Sequence, residues 1–299
     1  MAAALLVALS GCGAEESSPD TEAAAVRAQM AWDSAQRQYE EVQEIERRLV
    51  RGCLTKQGFE IFPKESAPPK KSTDSQRTST DPVQAARIGY GYDPRRQPSP
   101  DAKANDSEYA KTPDSYKGKL TLAKYGPSTD TVSFTTPDGT NVDIPRAGCV
   151  GDIRTALYGD LKEFLRLSFT AENLVRMDAS RDIEKNPKVL ALVDPWRDCV
   201  KTAGYPGIQF PRDMRDKAKG LYKGIDRNDE KALDAAAANE IKIATAEATC
   251  TKSVGLDEAV AAARAEGSVK SLAKYEADMV AWNAMALKAL AKAQEMLKA

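Results

Sequence analysis

The most informative absence in the sequence is histidine, of which the 299 residues contain none. Without imidazole there is no Ser-His or Cys-His nucleophile pair and no His-Glu-x-x-His zinc site. A carboxylate pair or a Ser-Lys arrangement needs no histidine, but neither leaves a recognisable spacing here. The sequence therefore predicts no catalytic residue, no metal ligand and no cofactor, and it favours a non-enzymatic role.

An excess of charge of one sign is also missing. Lys and Arg number 43 and Asp and Glu number 44, which gives a net charge of -1. Because contacts to phosphates need a concentrated basic face, this balance does not predict nucleic-acid binding. Aromatic residues make up only 6% of the chain. A core of such a chain must rest on Leu, Val, Ile, Met and Ala.

No long hydrophobic run is present, but a short one opens the chain. Residues 2–9 are apolar, and the last of them, Leu9, begins the motif Leu-Ser-Gly-Cys that ends at Cys12. The run is too short to span a bilayer and is placed like the apolar region of a secretory signal. Leu-Ser-Gly-Cys resembles the bacterial lipobox, although no Lys or Arg precedes the run. The alternative is an apolar helix start with a free thiol at Cys12.

We expect a signal peptide over residues 1–11, a lipidated Cys12 and a flexible tether over residues 12–21. The protein would then lie on the outer face of the cytoplasmic membrane, anchored by its lipid, or be secreted. Four cysteines follow, Cys53, Cys149, Cys199 and Cys250. An even number in an exported chain predicts disulfides, and four cysteines allow three pairings.

A repeated motif favours one of these pairings. Residues 51–59 and 197–205 both read Cys-x4-Gly-aromatic, with cysteines at Cys53 and Cys199. If each half pairs its first cysteine with a later one, the bridges are Cys53–Cys149 and Cys199–Cys250. Gly58 and Gly204 have the position of left-handed helix caps. The motif is therefore interpreted as a helix end beside a disulfide rather than as a ligand site.

The first half combines a long helix with a mixed insertion. Apolar residues at helical spacing predict a helix over residues 22–57, and its stripe comprises Val26, Met30, Tyr39, Val42, Ile45, Leu49 and Cys53. Residues 64–83 are polar and predict a mobile linker. In the Gly-Tyr-Gly-Tyr segment, Tyr90 and Tyr92 either dock on the helices or form a ligand surface for a sugar or peptide. Apolar and polar residues alternate on both sides of Pro-Asp-Gly at residues 137–139, which predicts a β-hairpin over residues 131–144.

The second half predicts helices throughout. Thr170 is expected to cap a helix over residues 171–184, and Asn186-Pro187 and Asp194-Pro195 to begin two more. Trp196 should pack near the second bridge. A near-heptad stripe over residues 269–297 predicts a long closing helix, and its members are Leu272, Met279, Trp282, Ala286, Ala289, Ala293 and Met296. It would pack on the first helix or form a dimeric coiled coil.

Several motifs occur in a fixed order. They are Arg-x-Cys-x4-Gly-Phe, Gly-Tyr-Gly-Tyr, Gly-Cys followed by Ala-Leu-Tyr-Gly-Asp, Trp-x2-Cys-x4-Gly, and a Cys after an Ala-rich helix. In this order, over residues 40–285, the chain resembles a family of uncharacterised actinobacterial exported lipoproteins. Leu54 and Val200 stand where that family often has Met. The family has no established activity, so the resemblance implies localisation and architecture only.

The predicted fold is mostly α, a disulfide-stapled helical domain with internal duplication, a small β-hairpin insertion and disordered linkers. The first repeat spans about 22–160 with an insertion over 64–146, the second about 187–265, and the long helix 268–298. The favoured function is a lipid-anchored extracytoplasmic binding protein whose partner is a cell-wall fragment or an exported protein. The alternative is a histidine-free hydrolase of envelope polymers that uses two carboxylates.

Overall fold

The computed structural model describes residues 18–60, 81–96, 109–137 and 139–298. The predicted signal peptide, Cys12 and residues 64–80 of the predicted linker lie outside these ranges. The linker predicted to extend to residue 83 is wrong at its end, because Asp81 caps a helix that begins at Pro82. The elements in chain order are α1 (Pro19–Lys56), α2 (Pro82–Ile88), α3 (Asp114–Tyr125), β1 (Thr131–Thr135), β2 (Asn141–Pro145), α4 (Gly148–Tyr158), α5 (Leu161–Phe169), a π-helical turn (Thr170–Leu174), α6 (Val175–Lys185), α7 (Pro187–Thr202), α8 (Pro211–Gly220), α9 (Glu230–Ser253), α10 (Leu256–Lys274) and α11 (Glu276–Met296). The predicted class, a mostly α fold with one hairpin and two disulfides, is confirmed.

Helix α1 begins earlier than the sequence predicts. Ser18 caps it by accepting a hydrogen bond from the backbone N–H of Thr21 at 3.3 Å, and Pro19 occupies the first turn. Proline is favoured there because its missing N–H would have no partner in the helix. The tether predicted to extend to residue 21 is therefore wrong at its end.

The buried face of α1 also differs from the predicted stripe near its start. Val26 and Met30 are 59% and 68% exposed, whereas Ala25, Ala28 and Ala35 are buried. From Tyr39 onward the buried face does follow the apolar stripe. Alanine lets two helix backbones approach closely, so burial in this part of α1 follows helix contact rather than side-chain hydrophobicity.

Helix α11 packs along α1 in the same direction. Arg27 pairs with Glu276 near the start of both helices, and Gln294 donates to Glu41 further along. Met279, Trp282 and three alanines of α11, Ala286, Ala289 and Ala293, are fully buried in the shared core. The heptad stripe is thus used within the molecule, and a coiled coil through the same face has no free surface to use.

The closing helix predicted over residues 268–298 is two helices. Helix α10 ends at Lys274 and α11 begins at Glu276, with Tyr275 between them. Asp178 of α6 holds this junction, since Tyr275 donates its hydroxyl to Oδ2 at 3.0 Å and Lys274 pairs with the same oxygen at 2.6 Å. The heptad pattern continues across the break and does not reveal it.

Both predicted disulfides are present. Cys53 at the end of α1 bonds to Cys149 in the first turn of α4, and Cys199 in α7 bonds to Cys250 in α9. Each bridge closes a loop of 96 or 51 residues. Restricting the unfolded chain in this way contributes about 4 to 5 kcal/mol per bridge in the chain-entropy description.

The two Cys-x4-Gly-aromatic motifs form the same helix end. Gly58 and Gly204 have φ values of 84° and 96°. Phe59 N–H donates to Leu54 O at 3.0 Å, and Tyr205 N–H donates to Val200 O at 2.9 Å. These are Schellman caps, in which the residue after the glycine closes the last turn and packs on the core.

The hairpin region contains one helix that the sequence pattern did not indicate. Strands β1 and β2 pair in antiparallel register, with Val132 opposite Ile144. Helix α3 precedes them and has a single fully buried apolar residue, Leu120. The end of α3 and the start of α4 are in close backbone contact. A Cβ on Gly148 would lie 2.5 Å from the backbone N of Gly126, so only glycine fits there.

Two predicted helix starts in the second half are wrong. Thr170 does not cap a helix, since its backbone is helical and the chain runs through the π turn into α6. Its hydroxyl donates to the carbonyl of Arg166 at 2.8 Å. Pro195 lies inside α7, which begins at Asn186-Pro187 as predicted. Pro195 is on the exposed side of α7, and the face that buries Val189, Trp196 and Val200 outweighs the cost of an internal proline.

The second core surrounds Trp196, as predicted. The side chain is fully buried, and its Nε1–H donates to Thr251 Oγ1 at 3.1 Å. Val200, Met214, Ile243 and Cys250 complete this cluster. Among the helices of the described ranges, none combines the length and the apolarity needed to cross a bilayer.

Alanine substitution of the two cap glycines should destabilise the protein. We expect Gly58→Ala and Gly204→Ala to lower the free energy of unfolding by about 1 to 2 kcal/mol each, because a left-handed backbone is strained for a residue with a Cβ. Gly52→Ala is the matched control: it lies inside α1 with open space around it. That variant should gain up to about 1 kcal/mol in helix propensity. Urea unfolding of the three variants measures this, and equal effects would contradict the cap assignment.

Candidate functional site

The predicted ligand surface at Tyr90 and Tyr92 lies on helix α9. Asp81 caps the start of the short helix α2, and Gly89 follows the last residue of that helix. The backbone N–H groups of Tyr90 and Tyr92 both donate to Glu240 Oε1, at 2.7 and 3.0 Å. Tyr222 donates its hydroxyl to the other oxygen of Glu240, Oε2. Glu240 is a buried residue and is only 2% exposed.

The segment approaches this carboxylate closely because residue 89 is glycine. A Cβ at this position would lie 2.9 Å from Glu240 Oε1, and the backbone has a φ of 61°. A buried carboxylate needs hydrogen-bond donors on its oxygens, and the two backbone N–H groups supply them. The Gly-Tyr-Gly-Tyr pattern therefore has a structural use, which is to dock the segment on α9.

Two turns further along α9, Glu247 receives the Tyr90 side chain. The Tyr90 hydroxyl donates to Oε2, and Arg215 Nη1 donates to Oε1 at 3.2 Å. Burial raises the pKa of Glu247, while the hydrogen bond from Tyr90 and the charge of Arg215 act in the opposite direction. The Tyr90 hydroxyl is thus committed to an internal contact.

Tyr92 has a freer environment than Tyr90. Its ring lies 5.5 Å from that of Tyr90 and lines an open groove of about 530 Å³ together with Tyr222, Lys219 and Lys223. Of the two residues predicted as a ligand surface, only Tyr92 is available at this groove. The structure brings Tyr90 and Tyr92 together, but it uses contacts of both residues to dock the segment on α9.

A second, less open cleft lies between α1, α6 and α10 and was not predicted. Its volume is about 490 Å³, within the range typical of small-molecule sites. The apolar part of the lining comprises Trp32, Ala171, Val175, Ala179 and Leu272. The polar part comprises Gln29, Glu172, Arg176, Ser180, Arg264 and Ser268. One side of the cleft is apolar, and charged groups of both signs surround it.

The π-helical turn forms one wall of this cleft. The N–H of Val175 donates to the carbonyl of Thr170, a spacing of five residues in place of the usual four. Such turns are rare and are frequently found at functional sites. The turn carries Glu172, and Arg176 lies four residues later. A Glu and an Arg at this spacing face each other on a regular α-helix. Here they form no ion pair.

The wall on α10 approaches α6 through small residues. A Cβ on Gly267 would lie 2.9 Å from the carbonyl oxygen of Ala179. One turn later, the buried Ser271 donates its hydroxyl to the carbonyl of Val175 at 2.9 Å. This contact fixes the distance between the two helices, and the cleft opens beside it.

The charged groups of the cleft have no partners among the described residues. Glu172, Arg176 and Arg264 make no hydrogen bond or ion pair there, whereas Arg27, Arg154 and Arg166 each pair with a carboxylate of another helix. The protein packed around Glu172 raises the pKa of its carboxyl, and no neighbouring cation offsets this. The Glu172 side chain still reaches solvent at the open side of the cleft.

No family model, no curated protein and no solved structure matches this chain. The resemblance to exported actinobacterial lipoproteins therefore stays a prediction, and the site must be judged on its own geometry. Within the described ranges, no group of three or more Cys, Asp or Glu side chains is arranged to hold a metal ion. The cleft is suited to binding through charge and apolar contact.

Little in the sequence indicates this cleft. Trp32 is one apolar residue among many in α1, and Glu172 and Arg176 have the spacing of an ordinary surface pair. A π turn has no reliable sequence pattern, because it arises from how the flanking helices pack. The one usable hint was an aromatic residue at position 32 outside the predicted apolar stripe.

Gly89→Ala should loosen the docked segment more than Gly91→Ala does. Both glycines have positive φ, at 61° and 79°, but only the Cβ at residue 89 meets Glu240. The backbone strain is therefore shared, and the difference measures the close contact. We expect Gly89→Ala to expose residues 81–96 to hydrogen exchange at least about tenfold faster than Gly91→Ala, since a cost of about 1.4 kcal/mol is a factor of ten. Equal exchange in the two variants would contradict the docking geometry.

The raised pKa of Glu172 predicts a pH-dependent effect of removing its charge. The folded protein holds this proton to higher pH than the unfolded chain, so the wild type loses stability as the pH rises from about 4.3 through the folded pKa. The Glu172→Gln variant has no carboxyl group at this position, so it does not lose stability in this way as the pH rises. Urea unfolding should therefore show the variant gaining stability relative to wild type between pH 4 and pH 7.

Glu258→Gln is the matched control, since it changes an exposed glutamate of α10 outside the cleft. The difference in the free energy of unfolding between Glu258→Gln and the wild type should be the same at pH 4 and at pH 7. If Glu172→Gln behaves like this control, the carboxyl is not perturbed by its surroundings.

Proposed function

We propose that this protein is a lipid-anchored extracytoplasmic binding protein of the bacterial cell envelope, with its ligand site in the cleft between α1, α6 and α10. The observation that supports this best is the cleft itself. It has about 490 Å³ of space, an apolar part of its lining, and charged groups of both signs that have no ion-pair partner among the described residues. Pockets of this kind, mostly apolar with a few polar groups, are the usual form of small-molecule sites.

The cysteines support an exported location. All four cysteines of the described residues are in disulfides. Structural disulfides persist in oxidising compartments and are rare in the cytosol. Together with the lipobox-like Leu-Ser-Gly-Cys at residues 9–12, this favours transport across the cytoplasmic membrane and a lipid on Cys12.

The position of the cleft fits a membrane-anchored binding protein. Trp32 lies 13 residues after the start of α1 at Pro19. At 1.5 Å per residue this is about 20 Å along the helix. The ligand site would therefore face the space close to the membrane, where exported molecules and cell-wall fragments are present.

The hydrolase alternative has no specific support in the described residues. Glu172 is the only carboxylate of the cleft lining. The two buried glutamates of α9, Glu240 and Glu247, are occupied by tyrosines and by Arg215. A two-carboxylate mechanism needs both groups free to face one substrate.

Filling the cleft should abolish ligand binding. Ser180 lines the cleft and is exposed, so Ser180→Trp places a large side chain there with little effect on the core. The intact chain would be incubated with a low-mass digest of bacterial envelope and analysed by native mass spectrometry. We expect the wild type and the matched control Ser180→Ala to retain a ligand and Ser180→Trp to lose it. Retention by Ser180→Trp would place the site elsewhere.

Replacement of Cys12 should release the protein from the membrane. In Cys12→Ser the sulfur that would carry the lipid is absent, and an apolar anchor is worth about 0.8 kcal/mol per buried CH₂. Cell fractionation should find the wild type with the membranes and the variant in the soluble exported fraction. An intact mass showing an unmodified Met1 in the membrane-extracted wild type would contradict the anchor.

A further inference from the structure

We propose that the cleft between α1, α6 and α10 binds a small zwitterion, namely a short peptide with free amino and carboxyl termini and an apolar side chain. In this arrangement Glu172 receives the ammonium group, Arg176 and Arg264 receive the carboxylate, and the apolar side chain lies on Trp32, Val175 and Leu272. This inference rests on the proposed function and specifies the class of ligand.

Glu172, Arg176 and Arg264 line one cleft, are exposed to solvent, and make no hydrogen bond or ion pair within the described residues. By contrast, Arg154 and Arg166 are partly buried between helices and are paired there, Arg154 with Glu46 at 2.7 Å and Arg166 with Asp278 at 2.8 Å. A ligand with charges of both signs would pair with the cleft groups in the same way.

Glu172 and Arg176 have the order and spacing of an ion pair on a regular α-helix, but they form none. Glu172 lies in the π turn, in which Val175 N–H bonds to Thr170 O, and both side chains are exposed to solvent at the cleft. A negative and a positive group are therefore available beside the same apolar surface.

The distribution of the lining selects between ligand classes. Phosphorylated ligands and nucleotides would match the two arginines but would place a negative charge near Glu172, which is unfavourable. A neutral sugar would leave all three charges unpaired. An apolar amine would match Glu172 alone. A short peptide with free termini satisfies both signs of charge and the apolar part of the lining.

Isothermal titration calorimetry of the intact chain with four peptides tests the assignment. The probes are alanyl-leucine, alanyl-phenylalanine, N-acetyl-alanyl-leucine and alanyl-leucine amide, at pH 7. We expect both free dipeptides to bind. Blocking either terminus should weaken binding about ten- to a hundredfold, because each block removes a charge-assisted contact.

Variants connect each terminus to its partner. Glu172→Gln should bind alanyl-leucine and its N-acetyl form with affinities within about threefold, since the group that distinguishes them is gone. Arg176→Gln combined with Arg264→Gln should likewise bind the acid and the amide equally. Glu258→Gln and Arg227→Gln change exposed charges outside the cleft and should retain the wild-type preferences.

The outcomes separate this inference from the proposed function. If neither free dipeptide binds at about 10 mM, or if blocked and free forms bind alike, the zwitterion assignment is overturned. If an envelope-derived ligand is still lost in Ser180→Trp in that case, the cleft remains the binding site and only its ligand class is wrong. If no ligand is retained in either experiment, both proposals fail.

Discussion

The close contact between α1 and the α10–α11 pair is the constraint on which most of the molecule depends. Alanines on both sides of this contact, among them Ala28 and Ala286, are fully buried, so the helices approach without bulky side chains between them. The same contact places Trp32 opposite Leu272 and creates the cleft. At the far end of α1, the Cys53–Cys149 bridge attaches the hairpin region to this scaffold. A change in the spacing of these helices would alter the core and the cleft together.

Beside the apolar cluster around Trp196, the second half of the molecule depends on buried charge. Helix α9 buries Glu240 and Glu247 on one face, and each needs donors that its own helix does not provide. The segment around Tyr90 supplies them from a distant part of the chain, at a separation of 148 to 157 residues. The protein therefore already holds a segment of its own chain against buried carboxylates. Its backbone N–H groups, not its aromatic rings, make the contacts with Glu240.

Local pattern was sufficient wherever the structure depends on neighbours in sequence. The Schellman caps at Gly58 and Gly204, the hairpin and the start of α7 at Asn186 follow from turn and cap chemistry that acts over four or five residues. The pattern failed at Val26 and Met30, which are apolar but exposed, and at Pro195, which does not end its helix. In these cases the packing partner, which lies far away in sequence, decided the outcome.

By itself the sequence determined the helical class, the two bridges and the two glycine-capped helix ends, because periodicity, cysteine pairing within a repeat and glycine caps are local properties of the chain. Only the tertiary structure decided where α10 ends, that a π turn interrupts the path from α5 to α6, and that Glu172 and Arg264 line one cleft. The physical reason is that these features arise where helices press against each other. Gly267 approaching Ala179, and Ser271 bonded to Val175, set that geometry across roughly ninety residues of chain.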